Sequence, residues 1–234
     1  TIMKKIILGT TVILSFLIAD QSTAQELKYG FKAGFNASRV RAPKRADISE
    51  TSQIGSFNTQ AYLDIPLSEG FAFQAGLGVS GKGANILVGN KLNATWTQYR
   101  CNPIYLELPV NAVAKIQLGD IFDECHIILG GGPYVAMGIS GKVNEEGKTL
   151  GINQSSDYNM AFTNADKPVN SQNFYGKFKN FDFGLNALAG IEYHKLTFNV
   201  NYGYGLVNVN PGANLSPIDR VKNRVWSASV GVRF

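Results

Sequence analysis

Four groups of residues in this 234-residue chain are of types and spacings that could do chemistry. His126 and His194 are the only imidazoles, so acyl transfer or hydrolysis on a lipid would need one of them as a base beside a serine or aspartate. Both fall at short turns on different hairpins, which argues against a Ser-His site and against a lipid-modifying enzyme. Gly76-Leu77-Gly78-Val79-Ser80-Gly81 fits the G-x-G-x-x-G pattern of dinucleotide sites, yet it lies inside an alternating strand and opens no helix. Cys101 and Cys125 invite a disulfide in an oxidising compartment. Their strands place them tens of ångströms apart at about 3.3 Å per residue, against a limit of roughly 7 Å between bridged Cα atoms, so two free thiols are expected. The fourth group is charged: Lys28, Lys32, Asp64, Lys82, Glu107, Lys115, Asp182, Glu192 and Arg233. No catalytic residue, metal site or cofactor is expected.

The fourth group gains meaning from the elements that must hold it. Odd positions from Leu27 read Leu27, Tyr29, Phe31, Ala33, Phe35, Ala37, and even ones Lys28, Gly30, Lys32, Gly34, Asn36, Ser38. Period-two alternation of this kind marks a strand with two chemically different faces. It returns at Phe181–Glu192, Leu196–Leu206 and Val225–Phe234, and four further strands are expected over Ser56–Leu67, Phe71–Lys82, Gln98–Leu118 and Cys125–Gly141. The connections alternate in length. Ser68–Gly70, Gly119–Glu124 and His194-Lys195 are tight, whereas Arg39–Gln53, Gly83–Thr95, Lys142–Gly176 and Val207–Asn223 are long and polar. Eight strands, short turns at one end and long loops at the other are the pattern of an outer-membrane barrel, with both termini on the periplasmic side.

Which face is inside decides between that barrel and a soluble, lipocalin-like one. The polar face is rich in glycine: Gly30, Gly34, Gly76, Gly78, Gly130, Gly132, Gly184, Gly190, Gly203, Gly205 and Gly231. A water-facing surface would carry Lys, Glu and Thr instead. Glycine weakens a strand unless crowding requires it, and the interior of eight strands is just wide enough for side chains. The greasy face therefore meets lipid, and the fold expected is all-β: an eight-stranded antiparallel up-and-down transmembrane β-barrel. The charged group shares the inward phase and carries both signs, so its members are expected to pair, because an isolated buried charge is very costly. The network is expected to fill a narrow lumen; an ion path is the alternative. Pro109, near Glu107, lacks a donor, so a ladder break or bulge is expected there.

The start of the chain fits this compartment. Met3-Lys4-Lys5, the apolar run Ile6–Ile18 and Ser22-Thr23-Ala24 form the three parts of a secretory signal, cut after Ala24. The domain expected is 25–234. An apolar run of 13 residues is too short to anchor the chain, since a helix needs about 20 to span a bilayer.

Ile104-Tyr105-Leu106-Glu107-Leu108-Pro109-Val110, Gly132-Pro133-Tyr134-Val135, Phe181-Asp182-Phe183-Gly184-Leu185 and Asn201–Asn208 occur in the order of four segments of one known family. The chain resembles the PorT-like outer-membrane β-barrel family. The resemblance implies a Gram-negative outer-membrane barrel, in a family mostly without an assigned activity, whose namesake is linked to protein secretion. Phe234, ending the lipid face that holds Trp226, resembles the C-terminal signal read by the barrel-assembly machinery. Arg39, Arg41, Lys44 and Arg45 form a basic extracellular loop expected to meet lipopolysaccharide phosphates. Nucleic acid is not an expected partner. The function expected is a structural, adhesion or assembly role through the loops. A secretion accessory, a narrow ion-conducting pore and a lipid-modifying enzyme are the alternatives.

Overall fold

The computed structural model describes residues 27–41, 48–119, 124–163, 177–211 and 221–234. The expected signal segment 1–24, together with Lys44 and Arg45, lies outside the described residues. The strands are β1 (Lys28–Arg41), β2 (Ile48–Ser52), β3 (Ile54–Ser68), β4 (Phe71–Gly81), β5 (Ala84–Gly89), β6 (Trp96–Gln117) and β7 (Cys125–Thr149). They continue with β8 (Ile152–Asn159), β9 (Ala161–Phe162), β10 (Lys177–Phe178), β11 (Phe181–Tyr193), β12 (Leu196–Gly205) and β13 (Lys222–Arg233). Eight of them close an antiparallel ring in the order β1-β3-β4-β6-β7-β11-β12-β13 and back to β1. Backbone bonds between Tyr29 and Phe234 in both directions complete the seam. Closure leaves the ring without a free edge, as a sheet in lipid requires.

Alternation becomes inside and outside as expected. Phe31, Phe35, Phe73, Leu77, Phe183 and Phe198 project outward and are exposed, Phe35 at 80%. Asn36, Asp64, Asp182, Asn186, Glu192 and Asn199 project inward and are buried. The glycines of the inward face allow close approach: a Cβ on Gly34 would run into the Ala228 carbonyl, and one on Gly132 into that of Val110. His194, with φ 52°, makes the two-residue turn between β11 and β12.

Two expectations need correction. The connections 83–95 and 142–176 are not simply loops, because β6 runs for 22 residues and β7 for 25. At about 3.3 Å per residue each is 70 to 80 Å long, whereas a spanning strand needs only about 9–11 residues. Residues 96–103 of β6 and 141–149 of β7 leave the ring and form a sheet with β2, β5 and β8, whose edges among the described residues are β2 and β8. Second, Arg39 and Arg41 are not in a loop. They end β1, opposite Arg224 and Lys222, because pairing with β13 continues for the whole length of the strand. The ladder break expected at Pro109 is present, without a shift of register. Pairing lapses beside it, where its missing N–H leaves a gap, and the register shift of β6 falls at Ile104/Tyr105, where β6 leaves the ring.

Candidate functional site

Three of the nine inward charges meet at the end of the barrel that bears the long connections. Lys82, just past β4, places Nζ 2.6 Å from Glu107 Oε2 on β6 and 3.4 Å from Asp182 Oδ2 on β11. Asp182 Oδ2 also accepts from the Tyr134 hydroxyl at 3.2 Å and from Asn223 Nδ2 at 2.9 Å. The Lys82 ammonium lies 4.0 Å from the Tyr134 ring centre, a cation–π contact in a water-poor space.

A second cluster sits at the end that bears the short turns. Lys115 pairs with Asp64 and lies 3.7 Å from Glu192, while Arg233 pairs with Glu192 and lies 3.9 Å from Asp64. Two cations thus alternate with two carboxylates around the inner wall, each desolvated charge facing an opposite one, as burial demands. This cluster opens on a mouth of ≈ 480 Å³ that Lys28 also lines.

Lys32 stands between the clusters, its Nζ 5.5 Å from the Tyr62 ring centre. Among the described ion pairs it has none. It borders a cavity of ≈ 50 Å³ with Asn58, Gln60, Asn111, Asn186 and Asn199, room for a few waters. Seven of the nine charges are therefore paired, Lys32 is not, and Lys28 is at the rim.

Tyr62, Tyr105 and Tyr134 fill the same interior and were missed, although their alternation phase matches that of Asp64, Glu107 and Gly132. Above Tyr105 the protruding sheet encloses a second apolar core, in which Val40, Ile86, Cys101, Val143, Met160 and Phe178 are buried together. Phe162 joins it to the lumen, meeting Tyr105 edge-on at 5.7 Å. Cys101 is buried here and Cys125 is at the far end of β7; neither is in a disulfide. Burial pushes the Cys101 thiol up to about 12.

The histidines stay apart from the lumen clusters' loop end. His194 pairs with Glu124 across the turn end, and His126 faces Glu192 and Gln117 in register. Gly76–Gly81 is strand β4 throughout. Trp226 and Phe234 both project outward: Trp226 packs on Tyr202 at 4.7 Å and Phe234 stacks on Tyr29 at 5.6 Å.

The sequence pattern of the outer membrane protein beta-barrel domain family matches residues 19–210. The chain belongs to this family. As an outer membrane β-barrel domain it resides in the bacterial outer membrane, crosses it by strands and contacts its lipids. Among solved structures it is similar to Ail, the attachment invasion locus protein of Yersinia pestis, at 14% identity and TM-score 0.40, over 90% of this chain and all of that one. It is also similar to Neisserial surface protein A, at 13% identity and TM-score 0.39, over 88% of this chain and 97% of that one. OprG from Pseudomonas aeruginosa is similar at 10% identity and TM-score 0.37, over 88% of this chain and 95% of that one. No curated protein matches the chain.

Proposed function

We propose that this outer-membrane barrel is a non-conducting surface protein that works through the sheet standing beyond its loop end, in attachment or in holding envelope components together. The observation that carries the reading is the division of the molecule at Tyr105. Below it the lumen is filled by paired charges, amides and tyrosines, with a cavity of ≈ 50 Å³ as its central space. Above it β6 and β7 continue into an ordered sheet with its own apolar core, whose edges among the described residues are β2 and β8. A ring of eight is too narrow for a wide channel, and exposed edges are surfaces on which partners pair.

In this reading both termini lie in the periplasm, since the even strand number puts them together at the short-turn end. Trp226 and Phe234 serve as the assembly signal, and lipopolysaccharide is the surrounding lipid. The protein has no enzymatic role. Chemistry on a lipid would need a base beside a nucleophile, and His126 and His194 are both at the turn end, away from the outer leaflet.

The register supplies a test. Replacing Gly147–Gln154 by Asn-Gly joins Glu146 to Ser155, which already face each other, through a favoured hairpin turn. Cells bearing this shortened chain are expected to keep a heat-modifiable barrel but to lose attachment to matrix-coated surfaces and to one another. Unchanged attachment would refute the reading. The motifs at 104–110 and 132–135 favour a second reading, an accessory to protein secretion. It predicts that deleting the protein strands secreted cargo in the periplasm while attachment is unaffected.

A further inference from the structure

On the outward face of β1, β13 and β12, side chains change character in a fixed order toward the loop end. The register sets Phe35 beside Ala228, which faces Val200; then Ala37 beside Trp226, which faces Tyr202; then Arg39 beside Arg224, which faces Tyr204; and last Arg41 beside Lys222. The face thus passes from aliphatic and phenyl groups to an aromatic pair and then to cations, of which Arg39, Arg41 and Lys222 are exposed or half-buried and Arg224 is buried beside them. Trp and Tyr collect where the lipid tails meet the headgroups, so the cations stand at headgroup height.

Their arrangement is unfavourable in the protein alone. Arg39 faces Arg224 directly and Arg41 faces Lys222, and like charges placed directly opposite destabilise a sheet. Among the described residues no carboxylate pairs with any of the four. Arg224 is fixed: its guanidinium lies 3.5 Å from the Tyr204 ring centre, and Nη1 donates to the carbonyls of Gly205 at 2.8 Å and Asn223 at 2.7 Å. Arg39 and Arg41 are exposed and Lys222 is half-buried, so three charges remain available above a fixed fourth.

We propose that Arg39, Arg41 and Lys222, over the fixed charge of Arg224, bind the phosphate groups of an outer-leaflet glycolipid whose acyl chains lie along Phe35, Trp226 and Tyr202. Guanidinium groups take phosphate oxygens in pairs, and the bound phosphate relieves the cross-strand repulsion. Continuity of the cations with the lipid-facing aromatic pair selects a phosphate carried on acyl chains over free phosphate. The inference rests on the proposed orientation, which puts the loop end in the outer leaflet.

The test uses the full chain in phosphatidylcholine nanodiscs, titrated with fluorescent bis-phosphorylated lipid A, with dephosphorylated lipid A and inorganic phosphate as further arms. Arg39→Ala, Arg41→Ala and Lys222→Ala together are expected to weaken bis-phosphorylated lipid A by about a hundredfold, because each basic group at a membrane surface contributes about fivefold. Binding of dephosphorylated lipid A should be weak and the same in both proteins, and inorganic phosphate should not compete. Equal affinity of parent and triple variant, or equal affinity for the two lipids, would overturn the proposal. Effective competition by inorganic phosphate would overturn the lipid assignment. Heat-modifiable migration of the variant shows that its barrel is intact, and protease access to the β7–β8 hairpin on whole cells tests the orientation separately.

Discussion

Lys82→Met isolates the loop-end cluster. Methionine keeps nearly the length of lysine and removes the charge. The Lys82 side chain is 3% exposed and its ammonium contacts Glu107 at 2.6 Å and Asp182 at 3.4 Å, so the substitution strands two carboxylates. Removing one partner of a buried pair costs about 3–5 kcal/mol. Asp182 would keep its bonds from Tyr134 and Asn223, and Glu107, 17% exposed, borders the cavity of ≈ 50 Å³, which has room for waters. These remaining partners put the loss near the low end, about 3 kcal/mol at pH 7. Neutralising the cluster, with Glu107→Gln and Asp182→Asn added to Lys82→Met, removes the stranded charges and should recover the parent to within about 1 kcal/mol. Urea unfolding in detergent micelles, followed by the fluorescence of Trp96 and Trp226, measures both. A single variant within about 0.5 kcal/mol of the parent, or a triple variant as unstable as the single, would refute the ion-pair argument.

Thiol labelling of the folded protein at pH 8 should place one maleimide per chain, on Cys125. Cys101 is buried and its thiol is pushed up to about 12, so almost no thiolate exists there until pH rises toward that value; mass spectrometry should find two labels only after unfolding. Leu150 holds φ 50° at the tip of the β7–β8 hairpin, a strained position for a branched side chain. Leu150→Asn should slow proteolysis of the hairpin about fivefold, matching roughly 1 kcal/mol of relief. Phe234→Ala should lower the yield of heat-modifiable protein in cells several-fold while leaving refolding from urea into micelles unchanged. Equal losses in the two assays would make the Tyr29 contact, and not an assembly signal, the role of Phe234.

The ring was legible because lipid and lumen impose opposite chemistry on alternate residues, so Phe35 and Asn36 cannot exchange places. The inward charges were legible by the same phase. Their partners were not: Lys82 and Asp182 are 100 residues apart, and alternation fixes a face but no height along the barrel. The protruding sheet escaped notice because β8 is exposed at every position and so carries no alternation. Glycine gave the interior away through crowding at Gly34 and Gly132. The outward cations of β13 were hidden for another reason: Arg224 and Lys222 matter only through the register that puts them beside Arg39 and Arg41.

Conductance of the purified, heat-modifiable protein in planar lipid bilayers tests most directly the claim that the lumen is filled and the work is done outside it. The structure predicts a silent membrane for the parent, with current appearing only when Lys82 and Glu107 are both cut back to alanine. Sustained, ion-selective steps from the parent protein would contradict it and make the lumen, with Lys32 at its centre, the functional site.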